Sequence, residues 1–244
     1  MPRELDRAGF PVTRWSVVLR ATARDGHAQR ALGELCSTYW PPLYAYLRRR
    51  GVDRVDAEDL VQGFVARTLD QANLAGVDRE RGRFRAYLLG AFKNFVAKQK
   101  RQAQALKRGG GVNSVSLDFE DAESRLTAGV PDARSPEAAY AHAWAMTVLQ
   151  RTEERLRGEY TDKGNAALFE GLRGFLLGGD APPYKDVATA LTMTEGSVRV
   201  AVHRLRTQFR RHLREEVADT VVSGADIDAE LRSLMDALRG PDGG

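Results

Sequence analysis

The stretch YKDVATALTMTEGSVRVAVHRLRTQFRRHL, Tyr184 to Leu213, decides the reading of this chain. It divides into a short helix from Tyr184 to Leu191, a tight turn around Thr192-Met193, and a long helix starting at Thr194. Thr194 is a natural N-cap, because its hydroxyl can accept a first-turn N–H that has no helical partner, and Ser197 can help cap the same turn. Val198, Val202, Leu205 and Phe209 fall at 0, +4, +7 and +11 and form one buried seam. Arg199, His203, Arg206 and Arg210 follow the same spacing one residue later, on a face turned toward solvent. One helix thus carries an apolar stripe for its own domain and a basic stripe for a partner. This is the layout of a helix-turn-helix, whose second helix enters a major groove about 12 Å wide. An ordinary helical hairpin is the competing reading of this segment alone.

Outward from that stretch, apolar residues keep three- and four-residue spacing almost throughout, and strand alternation is absent, so the expected fold class is all-α. A first helix runs through Leu32, Leu35, Cys36, Tyr39, Leu43, Tyr46 and Leu47, bent at Pro41-Pro42 and stopped by Gly51. A second opens with Asp56 as N-cap, and Leu60, Val61, Phe64, Thr68 and Leu69 form its stripe. The turn-rich GVDRERGR follows from Gly76. Next comes a regular helix with Phe84, Tyr87, Leu88, Ala91, Phe92, Phe95 and Val96 on one face. Gly109, Gly110 and Gly111 end it. The expected plan is two small helical domains, 1–107 and 136–218, the second containing the helix-turn-helix. A flexible acidic linker over 108–135 joins them, and an amphipathic extension covers 219–244. Ser135 and Pro136 restart the helices. Trp144, Val148 and Leu149 face the second core. In the extension, Ile227, Leu231, Leu234, Met235 and Leu238 share one face, with Asp228, Glu230, Arg232 and Asp236 largely elsewhere.

The 244 residues carry a net charge of only +4, but the charges are sorted. Lys93 to Arg108 holds six basic residues and no acid, and Arg199 to Arg214 holds six arginines and two histidines with no acid. Between them, Val112 to Ala139 carries six acids against Arg125 and Arg134. Two basic surfaces separated by an acidic connector point to two contacts with one polyanion. Cys36 is the only cysteine, which excludes an internal disulfide and a cysteine-based zinc site; its expected role is a buried small hydrophobe. No apolar run is long enough to span a bilayer, and MPRELDRAGFPVTRW lacks the layout of a secretory signal. A cytoplasmic protein without membrane insertion is expected.

Tyr184 to Leu213 resembles the C-terminal DNA-binding domain of bacterial RNA polymerase sigma factors of the extracytoplasmic-function (ECF) group. ALGELCSTYWPPLYAYLRRRG (Ala31 to Gly51) resembles that group's opening helix, and DAEDLVQGFVARTL (Asp56 to Leu69) its polymerase-binding helix. RFRAYLLGAFKNFVAKQKR (Arg83 to Arg101) resembles its promoter-melting helix. The match covers roughly Leu32 to Arg108 and Pro136 to Arg214, in the family's order.

The resemblance implies that Asp56, Glu58, Asp59 and Gln62 dock on core RNA polymerase, where a carboxylate cluster suits a basic partner. Relatives usually carry another acid directly after Gln62; here it is Gly63. It implies that the turn from Gly76 to Gly82 captures a base flipped from the minus-ten element. Arg79, Arg81 and Arg83 would hold the strand's phosphates, Asn94 would read a base edge, and Lys98 and Arg101 would extend the basic face. Many relatives have an acid where Lys98 stands. It implies that Ser197, Arg199, Val200, His203 and Arg204 contact the minus-thirty-five element of promoter DNA. Val200, where a small polar residue is common, would make an apolar contact to a thymine methyl. The expected function is promoter-specific initiation, with no catalytic residue, no metal and no cofactor. Relatives are controlled by an anti-sigma factor, by added domains or by a Ser/Thr kinase. Two other readings remain: a one-component helix-turn-helix regulator acting without polymerase, and a magnesium-dependent nucleotide hydrolase using Asp56, Glu58 and Asp59.

Overall fold

The computed structural model describes Trp15 and residues 26–70, 83–105, 117–129, 135–176 and 181–239, nearly all of them helical. In chain order the helices are α1 (Gly26–Thr38), α2 (Pro41–Arg49), α3 (Arg54–Asp70), α4 (Phe84–Ala105) and α5 (Phe119–Gly129). There follow α6 (Pro136–Asp162), α7 (Ala166–Leu172), a 3-10 turn (Arg173–Phe175), α8 (Tyr184–Ala190), α9 (Glu195–Ala218) and α10 (Gly224–Arg239). Among the described residues the only extended pairing is an isolated antiparallel bridge between Arg83 and Val221.

The chain divides into two compact units, Met1–Thr147 with Val217–Gly244, and Val148–Glu216. Both boundaries fall inside helices, α6 and α9, so the division departs from the expected plan of 1–107, 108–135, 136–218 and 219–244. The first twelve residues of α6 and the whole of α10 belong to the first unit. Trp144, expected in the second core, is buried in the first.

In the first unit, Pro41 and Pro42 break rather than bend the expected first helix. They stand at the N1 and N2 positions of α2, where a missing N–H costs nothing. The left-handed φ of 76° at Gly51 then turns the chain out of α2, with Val52 N–H donating to the Leu47 carbonyl at 3.1 Å. The cap of α3 is Asp53, not Asp56: Asp53 Oδ1 accepts the Asp56 N–H at 2.9 Å, which places Asp56 one turn inside. α3 packs against α1, α2 and α4. Their meeting faces bury Leu32, Leu35, Leu43, Val61, Leu88 and Phe92, each of which stabilises the unit by about 1.5–3 kcal/mol relative to exposure. Cys36 lies in the same core, and burial pushes its thiol up to about 12. Trp15 is fully buried edge-on to Phe84, with ring centroids 5.2 Å apart.

The 108–135 segment is not a flexible linker throughout, because Phe119–Gly129 forms α5 and docks on α2. Asp118 caps it, accepting the Asp121 N–H at 3.2 Å. Phe119 is buried against Trp40 and Tyr44, with centroids 4.7 and 5.4 Å away. Glu123 accepts from Arg48 Nη2 at 2.9 Å, Arg48 Nε at 3.1 Å and the Tyr44 hydroxyl at 2.5 Å. The Arg48 hydrogen bond holds the Glu123 carboxyl below the usual carboxylate range, against the opposing effect of partial burial. Ser135 caps α6 as expected, accepting the Ala138 N–H at 3.1 Å.

α10 packs into the first unit through buried Ile227, Leu234 and Glu230, while Leu231 and Leu238 are half-buried and Met235 is exposed. Glu230, expected off the apolar face, is 0% exposed. Its Oε1 lies 2.5 Å from Arg85 Nε and its Oε2 3.2 Å from Arg83 Nη1. The preceding turn joins in, since the Thr220 carbonyl accepts the Phe84 N–H at 2.9 Å and the Asp219 carbonyl the Trp15 N–H at 3.1 Å.

In the second unit, the last part of α6 is clasped to the end of α9 by the ion pairs Arg151–Glu216 and Arg155–Glu215, each 2.6 Å, and by a contact of 3.1 Å between His212 and Glu159. Phe169, Leu172, Val198, Val202, Leu205 and Phe209 form its core. Residues 191–194 join α8 to α9 with Thr192 at a φ of 53°, a left-handed conformation that costs a β-branched residue on the order of 1 kcal/mol. Thr194 caps α9, its Oγ1 accepting the Ser197 N–H at 3.1 Å.

Candidate nucleic-acid interface

α9 separates its residues by face. Val198, Val202, Leu205 and Phe209 are buried as their spacing requires, and this fixes which side of the helix is left for a partner. Ser197, Arg199, Val200, His203 and Arg204 are all exposed, and Val200 presents an apolar surface that is 52% accessible. Arg199 lies over the Tyr184 ring, 5.3 Å from its centroid, and 3.7 Å from Glu195, so its reach is partly set by α8. Arg210 is also exposed. The rest of the acid-free run is committed elsewhere. Arg206 donates to the Phe175 carbonyl at 2.8 Å, Arg211 sits 3.7 Å from Glu159, and His212 is buried against the same carboxylate. Arg206 is exposed as its spacing requires, but its Nε is engaged within the unit.

In the first unit, α1, α3 and α4 line a cleft of about 230 Å³. Its wall is aromatic where Phe64, Tyr87 and Phe95 meet, and its rim is polar and basic through Asn94, Arg67 and Lys98. Asn94, Lys98 and Arg101 are exposed on α4, while Lys93 is spent on Glu137 at 2.8 Å. Tyr87 and Phe95, expected as core alone, are half-buried and shared between core and cleft. Arg83 does not join this group, because Glu230 holds it. Arg79 and Arg81 lie outside the described residues, as does the whole turn from Gly76 to Gly82. Arg67 was missed from sequence; it stands at the fourth position after Gly63, on a helix read for its apolar stripe and for the acidic cluster at its start.

The acidic cluster on α3 is less uniform than its sequence. Asp56 and Asp59 are exposed, whereas Glu58 accepts from Arg54 Nε at 2.7 Å, one helical turn earlier. That hydrogen bond raises the Arg54 guanidinium above its ordinary value. Gln62 is half-buried. Val55, 67% exposed, adds an apolar contact point beside the two free carboxylates. Gly63 is buried, and a Cβ there would sit 3.5 Å from the Phe95 ring, so a carboxylate at this position would be pressed against an aromatic wall. Among the described residues, no group of three or more His, Cys, Asp or Glu is placed to hold a metal ion, and no helix is long and apolar enough to cross a membrane.

Comparison with known proteins finds no similar family model, no similar curated protein and no similar solved structure.

Proposed function

We propose that the chain is a promoter-recognition factor of the sigma type, which binds core RNA polymerase and directs initiation at a two-part promoter. The observation that carries the reading is the division of α9. A Thr194-capped helix, reached through the short α8 and a four-residue turn, buries one seam and exposes Arg199, Val200, His203 and Arg204 on another side. That is the arrangement by which a helix-turn-helix sets base-reading side chains into a major groove. Arginine suits guanine through its two-pronged donor set, and a valine suits the thymine methyl.

Two features of the first unit support a second contact. The cleft beside Asn94 has aromatic walls for stacking a base, an amide for its edge, and Arg67 and Lys98 for the neighbouring phosphates. Asp56, Asp59 and Val55 offer a basic partner an acidic surface with an apolar anchor. A one-component regulator would use α9 alike but give the cleft and the acidic surface no task. Run-off transcription with purified core polymerase on a promoter library separates the two. Promoter-selective transcripts that depend on the chain support the sigma reading, and tight operator binding without any effect on the core enzyme refutes it.

A further inference from the structure

The second unit contains a larger cleft, of about 710 Å³, between α9 and the α6–α7 connection. Ser197, Val200, Arg204 and Gln208 line its α9 side, and Tyr160, Lys163 and Asn165 its other side. Two cations, Lys163 and Arg204, line it, and no carboxylate does. Lys163 and Asn165 are exposed. Asn165 occupies the N-cap position of α7 yet makes no side-chain capping hydrogen bond, so its side-chain oxygen does not tie the amide to the helix. Gln208 keeps a buried side-chain oxygen without a hydrogen-bond partner. Tyr160 and Arg204 line the same cleft; burial holds the Tyr160 phenol above its usual range, and the Arg204 charge opposes that rise.

We propose that this cleft holds one phosphodiester strand of the same duplex that α9 reads. The inference rests on the DNA-binding reading above and extends it to Lys163 and Asn165, which no motif singled out. Charge decides the class of occupant: two cations without a carboxylate in the lining suit a polyanion. Continuity decides its source. Val200 and Arg204 belong both to the exposed reading face and to the wall of the cleft, so a strand bordering a groove entered by α9 passes directly over Lys163. Phosphate contacts of this kind fix register and orientation and carry no sequence information.

The test is duplex binding by the full chain, followed by fluorescence anisotropy between about 50 and 200 mM salt, where each neutralised phosphate contributes about 0.9 to the slope of log K against log salt. Lys163→Ala is expected to flatten that slope by about 0.9 and to weaken every upstream sequence equally. Asn165→Ala is expected to weaken binding roughly 2- to 10-fold with the slope unchanged, as for loss of a neutral hydrogen bond. Both positions are exposed and neither side chain makes a capping hydrogen bond, so folding is expected to be retained. If both variants bind as wild type while Arg199→Ala alters base preference, the strand does not use the cleft and the α9 reading stands. If wild type shows no salt-dependent duplex binding, with or without core polymerase, both fall together. Saturable binding of inorganic phosphate that leaves duplex binding intact overturns the strand in favour of a small free anion.

Discussion

Replacing Glu230 by alanine removes a fully buried carboxylate and strands the two guanidinium groups it holds. Arg85 Nε lies 2.5 Å and Arg83 Nη1 3.2 Å from its oxygens, and Arg85 is also stacked 5.1 Å from the Trp144 ring centre, which keeps it from swinging out to water. Removing one partner of a buried ion pair costs about 3–5 kcal/mol, because the charge left behind stays desolvated. Here the arginine side chains retain 21% and 32% of their exposure, which places the expected loss near the lower end, about 3 kcal/mol. For a chain of this size each kcal/mol moves Tm by about 2–4 °C, so the melting midpoint should fall by roughly 6–12 °C. The assay has an internal advantage: Trp15, Trp40 and Trp144 account for all 3 tryptophans and all lie in the first unit, so tryptophan fluorescence follows that unit alone. Glu230→Gln, which keeps an acceptor but no charge, should lose less. A fluorescence midpoint for Glu230→Ala within about 2 °C of wild type would refute the reasoning, since it would mean α10 contributes no buried charge pairing to the first unit. Deleting Gly224 to Gly244 should lower the same midpoint further, because Ile227 and Leu234 then leave the core as well.

Three further outcomes are expected. If the α3 surface meets a basic polymerase partner, Asp56→Lys and Asp59→Lys should each weaken core-enzyme binding more than Glu58→Lys, whose carboxylate is already held by Arg54; equal losses in a pull-down titration would contradict this. Arg199→Ala and Arg204→Ala should each cost about 1–3 kcal/mol and relax preference at one upstream base pair, read as transcription from a set of single-base promoter variants. Glu123 has a folded-state carboxyl depressed by the Arg48 hydrogen bond, so its stabilisation is complete above the ordinary value of 4.5 and is lost as pH falls through the depressed one. Fluorescence of Trp40, against which Phe119 packs, should report loosening of α5 in that acid range, and Glu123→Gln should abolish the pH dependence.

The elements legible in the sequence are those whose signals are local. Thr194 and Ser135 cap their helices as their positions require, because an N-cap needs only a hydroxyl and an N–H three residues on. The α9 seam was legible for the same reason, four apolar residues on one helical face. For α3 the expected cap was Asp56 alone, whereas Asp53, three residues earlier in GVDRVDAED, accepts the Asp56 N–H. The docking of α5 was hidden because one aromatic residue, Phe119, and one carboxylate, Glu123, anchor a helix otherwise as polar as a linker. Its partners, Tyr44 and Arg48, lie 79 and 75 residues away from Glu123.

Glu230 shows most sharply why the remainder was not legible. It stands three residues after Ile227 and four before Leu234, the spacing of a buried stripe, but a glutamate there reads as a solvated interruption unless its partner is known. That partner, Arg85, is 145 residues earlier in the chain. The same pairing bears on the candidate site, because Glu230 draws Arg83 toward α10 and offsets part of the charge that Arg83 and Arg85 carry. If the first unit binds a strand, the cations exposed near Asn94, Arg67 on α3 and Lys98 and Arg101 on α4, are expected to carry most of the contact. The basic surface of the first unit is therefore assembled from two helices beside an aromatic cleft, and no continuous basic run in the sequence corresponds to it.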